Sequence, residues 1–360
     1  MGDPSRKDTV SQADAYAEFM ARADAACVPL TVVWEVTNAC NLRCVHCYQD
    51  TGDTRDELTH DEGIALLDEL ADAGVLYLVL TGGEPLLRRD FMTLAREARR
   101  REFALRIFTN GTLIGHEEAG QIAELLPLSV DISIYGARPE THESVTGVPG
   151  SHQKAVRAVS LLKAAGVRTT VKMVVMKGNV REFDDVRAWA EDAADRFVYD
   201  VQVIPAKDGG RRPIRQRLDE DELAAFFAGK VGTESETLCD LPEDGVPCGA
   251  GRTGAAVGAD GTVFPCVAFP LQAGNVRQRS FGDIWRDAPM LRRLRRITLK
   301  DLRECRECAM MHLCRRCPGA AQLEHNDHRG PSEAACTVAR AKLQAGKRQP
   351  RAPARERTEA

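Results

Sequence analysis

No stretch of about eighteen apolar residues occurs anywhere in the 360-residue chain, which excludes a membrane-spanning helix. The N-terminus, MGDPSRKDTVSQADAYAEF, has no apolar h-region and so is not a secretory signal. An excess of charge of one sign is also missing. The formal net charge is only −4, so no whole-molecule field favours nucleic acid as a partner. There is no repeat of solenoid length. These absences point to a cytoplasmic globular protein with room for a sizeable core and two domains. Cysteine is absent from residues 48–238, although the chain has twelve. Cys27 stands alone, Cys40, Cys44 and Cys47 form one cluster, and eight more lie between 239 and 336. A disulfide scaffold is normally short and stapled throughout, and cytosolic thiols stay reduced. Two clusters flanking a cysteine-free middle therefore suggest metal binding or chemistry.

The middle alternates short β-type runs with amphipathic helical segments. The strand candidates are TVVWEVT (31–37), VLYLVLT (75–81), ALRIFTN (104–110), LSVDISIYG (128–136), RTTVKMVVM (168–176) and VYDVQVIP (198–205). Thr59 followed by Glu62 is a capping box; Ile64, Leu67 and Leu70 then share a face, and Gly74 stops the helix. Val156, Val159 and Leu162 repeat the scheme up to Gly166, and Phe183, Val186 and Ala190 mark the next helix. Six βα-type units imply parallel strands with right-handed crossovers. Six is short of the eight that close a barrel, leaving an open partial barrel or a doubly wound sheet. In either case ligands sit at the carboxyl ends of the strands. NACNLRCVHC, GGEP, NGT and YGA all fall there.

Beyond residue 204 the pattern breaks. AKDGGRRPIRQR reads as a linker, and LDEDELAAFFAG as a helix capped at Asp219 with Glu222 three residues on. A cysteine-rich region begins at Cys239, with one hairpin turning near Asp260-Gly261. The tail from about 345 is charged and aperiodic, which predicts disorder. The expected divisions are a lead-in over 1–30, an α/β domain over 31–206, a linker and helix over 207–238, the cysteine-rich domain over 239–344, and the tail.

Cys40-x3-Cys44-x2-Cys47 directly follows the first strand. A zinc site would want a fourth ligand, and His46, next to Cys47, could reach the same ion only with strain. Three thiolates on one loop instead suit a cubane iron–sulfur cluster with one iron open to a ligand. The spacing, followed one strand later by TGGEP (81–85) and then by TNGT (109–112) and DISIYG (131–136), resembles the signature of the radical S-adenosylmethionine (SAM) superfamily across residues 31–206. The resemblance implies a partial (β/α)6 barrel and a SAM-binding [4Fe–4S] cluster on Cys40, Cys44 and Cys47. It implies SAM contacts from Gly82, Gly83, Glu84, Asn110 and Ser133. Glycines let a backbone approach a ligand closely, and a glutamate can accept from an ammonium group. Asn110-Gly111 could equally be an ordinary turn, and Ser133 a satisfied core hydroxyl. His46 and Tyr48 could shield the cluster or simply pack, and Cys27 reads as a buried or unpaired thiol.

The later cysteines resemble the SPASM extension of that superfamily, which holds two auxiliary [4Fe–4S] clusters. By that resemblance Cys248, Cys266 and Cys317 bind the nearer cluster, and Cys305, Cys308, Cys314 and Cys336 the farther. Cys239 is a further candidate for the nearer one. The commonest form has three residues between the sixth and seventh cysteines; here only Arg315 and Arg316 separate Cys314 from Cys317. Zinc ribbons on Cys305/Cys308 and Cys314/Cys317 are the alternative, but they leave the Cys248–Cys266 hairpin unexplained.

The resemblance implies an enzyme that generates a 5′-deoxyadenosyl radical to modify or crosslink a ribosomally made precursor peptide. A superfamily oxidoreductase acting on an alcohol, sugar or tetrapyrrole, and a cluster-binding scaffold without catalysis, are the alternatives. Only about thirty residues precede the first strand, too few for a leader-binding domain, so a separate leader-binding protein is expected, together with an external electron donor. Lys172, Gln202 and Lys207 are candidates to face the cavity, and no acid–base dyad stands out. LRRLRRI (291–297) sets Arg292, Arg293, Arg295 and Arg296 around a short helix, as a solvated face or as a dock for an acidic leader.

Overall fold

The β-branched runs become strands because alternate residues can be buried on both faces of a covered sheet. The computed structural model of the chain describes residues 12–49, 52–228 and 244–348. Its strands are β1 (Thr31–Glu35), β2 (Tyr77–Thr81), β3 (Ala104–Thr109), β4 (Ser129–Ser133), β5 (Thr169–Val174) and β6 (Arg196–Asp200). Helix α1 (Gln12–Ala25) precedes β1. The crossovers carry α2 (His60–Asp72), α3 (Phe91–Arg100), α4 (His116–Glu124), α5 (Pro139–Thr146), α6 (Ser151–Ala164) and α7 (Phe183–Ala193). All neighbouring pairs from β1 to β6 are parallel, in sequential order. This is the open partial (β/α)6 barrel.

Local signals act where the sequence places them. Thr59 and Glu62 close their capping box, and Leu66, Leu67 and Leu70 of α2 are buried against the sheet. Each such leucine contributes about 1.5–3 kcal/mol by burial. Phe183, Val186 and Ala190 of α7 are likewise buried. On β3, β4 and β5, residues such as Ile107, Ile132 and Val171 pack under the helices. Their alternate neighbours, Arg106 and Phe108, Asp131, and Lys172, therefore face the inside of the barrel.

The second half continues with α8 (Glu220–Phe227), β7 (Gly254–Val257), β8 (Thr262–Phe264), β9 (Gly274–Asn275), α9 (Phe281–Asp287), α10 (Pro289–Leu294), α11 (Pro318–His325) and α12 (Glu333–Arg348). Asp219 and Glu222 cap α8 reciprocally. The hairpin turns through Gly258–Gly261, but it is not separate from the barrel: β7 pairs in parallel with β1, extending one sheet to nine strands. Strands β1–β5 are shorter than expected by one to three residues at an end, and two further boundaries differ. β6 begins at Arg196, two residues early, and the chain leaves the sheet after Asp200. Helix α12 runs to Arg348 with Ala345 buried, past the point where the tail was placed. Among the described residues no helix is long and apolar enough to cross a membrane.

Candidate functional site

Cys40, Cys44 and Cys47 lie on the loop leaving β1, half-buried and free of disulfides. Burial raises the pKa of all three, Cys44 to about 12, and the Cys47 and Cys40 thiols raise it further by their proximity. The Leu42 N–H points at Cys40 Sγ at 3.4 Å. His46 stands half-buried beside them, with its Nδ1 atom shielded. Its Nδ1 has no partner among the described residues, and burial lowers its pKa to about 4, so the ring is neutral. The His46 ring meets Tyr135 edge-on at 4.8 Å. Three crowded thiols of raised pKa suit a cationic group that deprotonates its ligands. Among the described residues no three His, Cys, Asp or Glu side chains close around a single ion. A cubane has no such requirement, because each thiolate takes a separate iron.

The loop after β2 lies against this one. Gly82 has φ +151°, and a Cβ there would stand 2.4 Å from the Thr37 carbonyl oxygen; one on Gly83 would stand 2.3 Å from that of Ala39. The space goes to backbone pairing instead, Gly83 N–H to Thr37 O at 2.8 Å and Glu84 N–H to Ala39 O at 2.7 Å. Glu84 is fully buried. Its Oε1 accepts from the Thr109 hydroxyl (2.7 Å) and Leu86 N–H (3.2 Å), and its Oε2 from Asn110 N–H (2.7 Å). Burial pushes its pKa up to about 7 against the pull of those donors. Asn110 completes the rim: its Nδ2 donates to Asn41 Oδ1 at 2.9 Å, and Asn41 Nδ2 donates to Thr112 Oγ1 at 2.8 Å. The carboxyl ends of β1, β2 and β3 are thus one hydrogen-bonded surface. Ser133, at the end of β4, is in register with Lys172.

Inside the barrel stand two buried carboxylates. Asp131 accepts from Arg106 (2.8 Å) and the Ser129 hydroxyl (2.7 Å), and Lys172 Nζ lies 3.5 Å from it and 3.5 Å from the Phe108 ring centre. Glu35 pairs with Lys207 at 2.6 Å and accepts from Gln49 at 2.7 Å. Gln202 instead donates to the Arg315 carbonyl at 3.2 Å. A cavity of about 240 Å³ borders Cys47, lined also by Gln49, Ala206, Asp208 and Arg212. Arg212 donates to the Cys44 carbonyl at 3.3 Å. Sequence reading missed Asn41, Glu35 and Arg212. A charge inside an apolar alternation, as in TVVWEV, was the available signal for Glu35; Arg212 carried none.

The later thiols fall into two groups. Cys266 is raised to about 11 by burial, then by Cys248 and Cys317; Cys314 is raised to about 12 by burial, then by Cys336, Cys305 and Cys308. Backbone N–H groups point at sulfur, Ala250 to Cys248 at 3.5 Å and Ala320 to Cys317 at 3.4 Å. Such bonds also tune cluster potentials. Cys239 lies outside the described residues. Cys27 is a free, half-buried thiol away from both groups.

The profile of the Radical SAM superfamily matches residues 34–190, and that of SPASM, an iron–sulfur cluster-binding domain, matches residues 248–318. The mycofactocin maturase MftC of Mycobacterium ulcerans is 32% identical over 290 residues, covering 74% of this chain and 77% of the relative. The AdoMet-dependent heme synthase of Methanosarcina barkeri is 28% identical over 296 residues, covering 74% of this chain and 85% of the relative. Streptococcus suis SuiB, solved bound to the precursor peptide SuiA, superposes with a TM-score of 0.68 at 18% identity, over 93% of this chain and 84% of that one, a likeness of fold.

Proposed function

The chain belongs to the radical SAM superfamily and carries a SPASM domain, and from that premise we propose that it oxidatively modifies or crosslinks a ribosomally made peptide. It is an iron–sulfur enzyme that uses SAM. One observation carries the reading: three thiols, a side-chain-free turn and Asn110 form a single rim through Glu84, at the end of the barrel where ligands bind. Cys40, Cys44 and Cys47 would hold the four-iron cluster, which would supply the electron that cleaves SAM to a 5′-deoxyadenosyl radical.

The chain's own residues bind and orient. Gly82 and Gly83 have no Cβ to push away the backbone of the loop carrying Cys40, which sets the two loops side by side, and Oε2 of Glu84 accepts one N–H, keeping a lone pair for an ammonium group. Asn110 and Ser133 present polar groups beside them. His46 and Tyr135 keep water from the thiol side. In the SPASM half, Cys248, Cys266 and Cys317 hold one auxiliary cluster and Cys305, Cys308, Cys314 and Cys336 the other, with Cys239 a candidate fourth ligand of the first. A peptide substrate is supported by the maturase relative and by a fold that SuiB uses with a precursor peptide. A separate leader-binding protein and an external electron donor complete the proposal, in a cytoplasm that keeps the thiols reduced.

The heme synthase relative favours a second reading, a small-molecule oxidoreductase. The test is anaerobic turnover with SAM and a reductant, using precursor peptides encoded beside the gene. A change in peptide mass with stoichiometric 5′-deoxyadenosine supports the first reading. An unchanged peptide, with turnover of a tetrapyrrole or sugar instead, supports the second.

A further inference from the structure

We infer that a basic cleft in the SPASM half binds an acidic segment of the peptide substrate, an inference that rests on the peptide reading above. The cleft measures about 760 Å³, within the range of roughly 300–1,000 Å³ typical of ligand sites. It lies between the loop after Cys266, the α10 region, the residues before Cys305 and the turn at 326–330.

Arg293, Arg296, Arg303 and Arg329 line it, and among the described residues none of the four has an ion-pair partner. Their neighbours do. Arg286 pairs with Asp283, Arg292 with Asp287 at 2.6 Å, and Arg306 with Glu307 at 3.0 Å. In the LRRLRRI run, Arg295 donates to the Gly251 carbonyl and stacks over Trp285, so Arg293 and Arg296 alone face the cleft. Two acids share the lining. They are Glu304 and Asp327, the latter accepting from Arg329 N–H at 2.9 Å with its charge acting on Arg329, so the four arginines face two carboxylates. Positive charge is therefore in surplus here, on a chain that is negative overall.

The floor is apolar, built from Phe269, Leu271, Met290 and Leu294. One wall is held in place by Arg316, which donates to the His328 and Gly330 carbonyls at 2.5 and 2.7 Å. Guanidinium forks match carboxylates bidentately, and an aliphatic floor wants aliphatic side chains. A small anion would leave that floor uncovered, and single-stranded nucleic acid would need exposed aromatic stacking platforms, whereas Phe269 is buried. An acidic peptide carrying leucine-like residues satisfies both features.

The test uses the full chain, loaded with iron under anaerobic conditions, and a fluorescein-labelled dodecapeptide of glutamate and leucine, followed by fluorescence anisotropy. Wild type should bind it with an affinity that falls as salt rises. The R293E/R296E variant should lose about thirtyfold, and R293K/R296K, which keeps the charge but not the fork, should fall between it and wild type. A lysine–leucine dodecapeptide should not bind. Iron content and substrate-free 5′-deoxyadenosine formation, unchanged in both variants, report folding. No binding, binding indifferent to the variants, or equally tight binding of a twelve-base oligothymidylate overturns the cleft. Peptide modification with an unchanged KM in R293E/R296E also overturns it, but leaves the peptide reading standing. Turnover of a small molecule with no peptide modified overturns both.

Discussion

Gly83 shows how tightly single residues define the rim. An alanine there would set its Cβ 2.3 Å from the Ala39 carbonyl oxygen, so the loop carrying Cys40 would have to move. Gly83→Ala should weaken SAM binding by about tenfold or more, with iron on the SPASM cysteines retained; equilibrium dialysis with iron analysis measures both. Asp131 makes the second case at this scale. It is the shared counter-charge of Arg106 and Lys172, whose side chains are about one-third exposed within the barrel. Asp131→Ala would leave two cations facing each other and should cost about 2–4 kcal/mol, read from denaturant unfolding of paired samples. A neutral result would mean that the pair is solvated. That the Cys40–Cys47 loop and the Gly82–Gly83 turn lie side by side was legible, because both follow strands that pair in parallel. The Asp131–Lys172 and Glu35–Lys207 pairs were not, because partners up to 172 residues apart meet only once the strands are ordered.

At the scale of elements, the clearest staple is Glu182, at the start of α7. It accepts from the Ala137 and Arg138 N–H groups (2.9 and 3.1 Å), the Arg138 guanidinium (2.7 Å) and the Thr141 hydroxyl (2.5 Å), fastening the loop after β4 to the next crossover. Burial alone would raise its carboxyl, but these donors hold it below its ordinary value of 4.5. A depressed acid contributes stability above its unfolded value, and loses it as pH falls through the folded one. Glu182→Gln should therefore unfold more easily by about 2 kcal/mol at pH 7. The gap from wild type should close as pH drops below 4.5, and a gap constant with pH would contradict the assignment. The caps of α2 and α8, and five of six strands, were readable from local pattern, because capping and alternation are short-range. β6 was placed two residues late, because it opens on the charged, exposed Arg196.

Across the whole molecule, the two halves are built as one body. β7 covers the edge of β1, and α12 packs on α8, with Arg340 paired to Glu220 at 2.7 Å. Arg217 ties the Val203 carbonyl to Glu324 and Glu333. None of this was visible in sequence, since GAAV is a short strand of small residues more than two hundred positions from its partner. A chain ending at residue 228 would expose the β1 edge and the apolar face of α8. It should be recovered mainly as aggregate, and a soluble monomer with native far-ultraviolet dichroism would argue against the fused sheet. The clusters assigned to the two halves invite the most direct measurement, anaerobic reconstitution with iron counting. The account predicts roughly twelve irons in the wild type and about eight in Cys40→Ala/Cys44→Ala/Cys47→Ala, with 5′-deoxyadenosine formation abolished. Zinc in place of iron, or an unchanged iron count with SAM still cleaved in the triple variant, would contradict it.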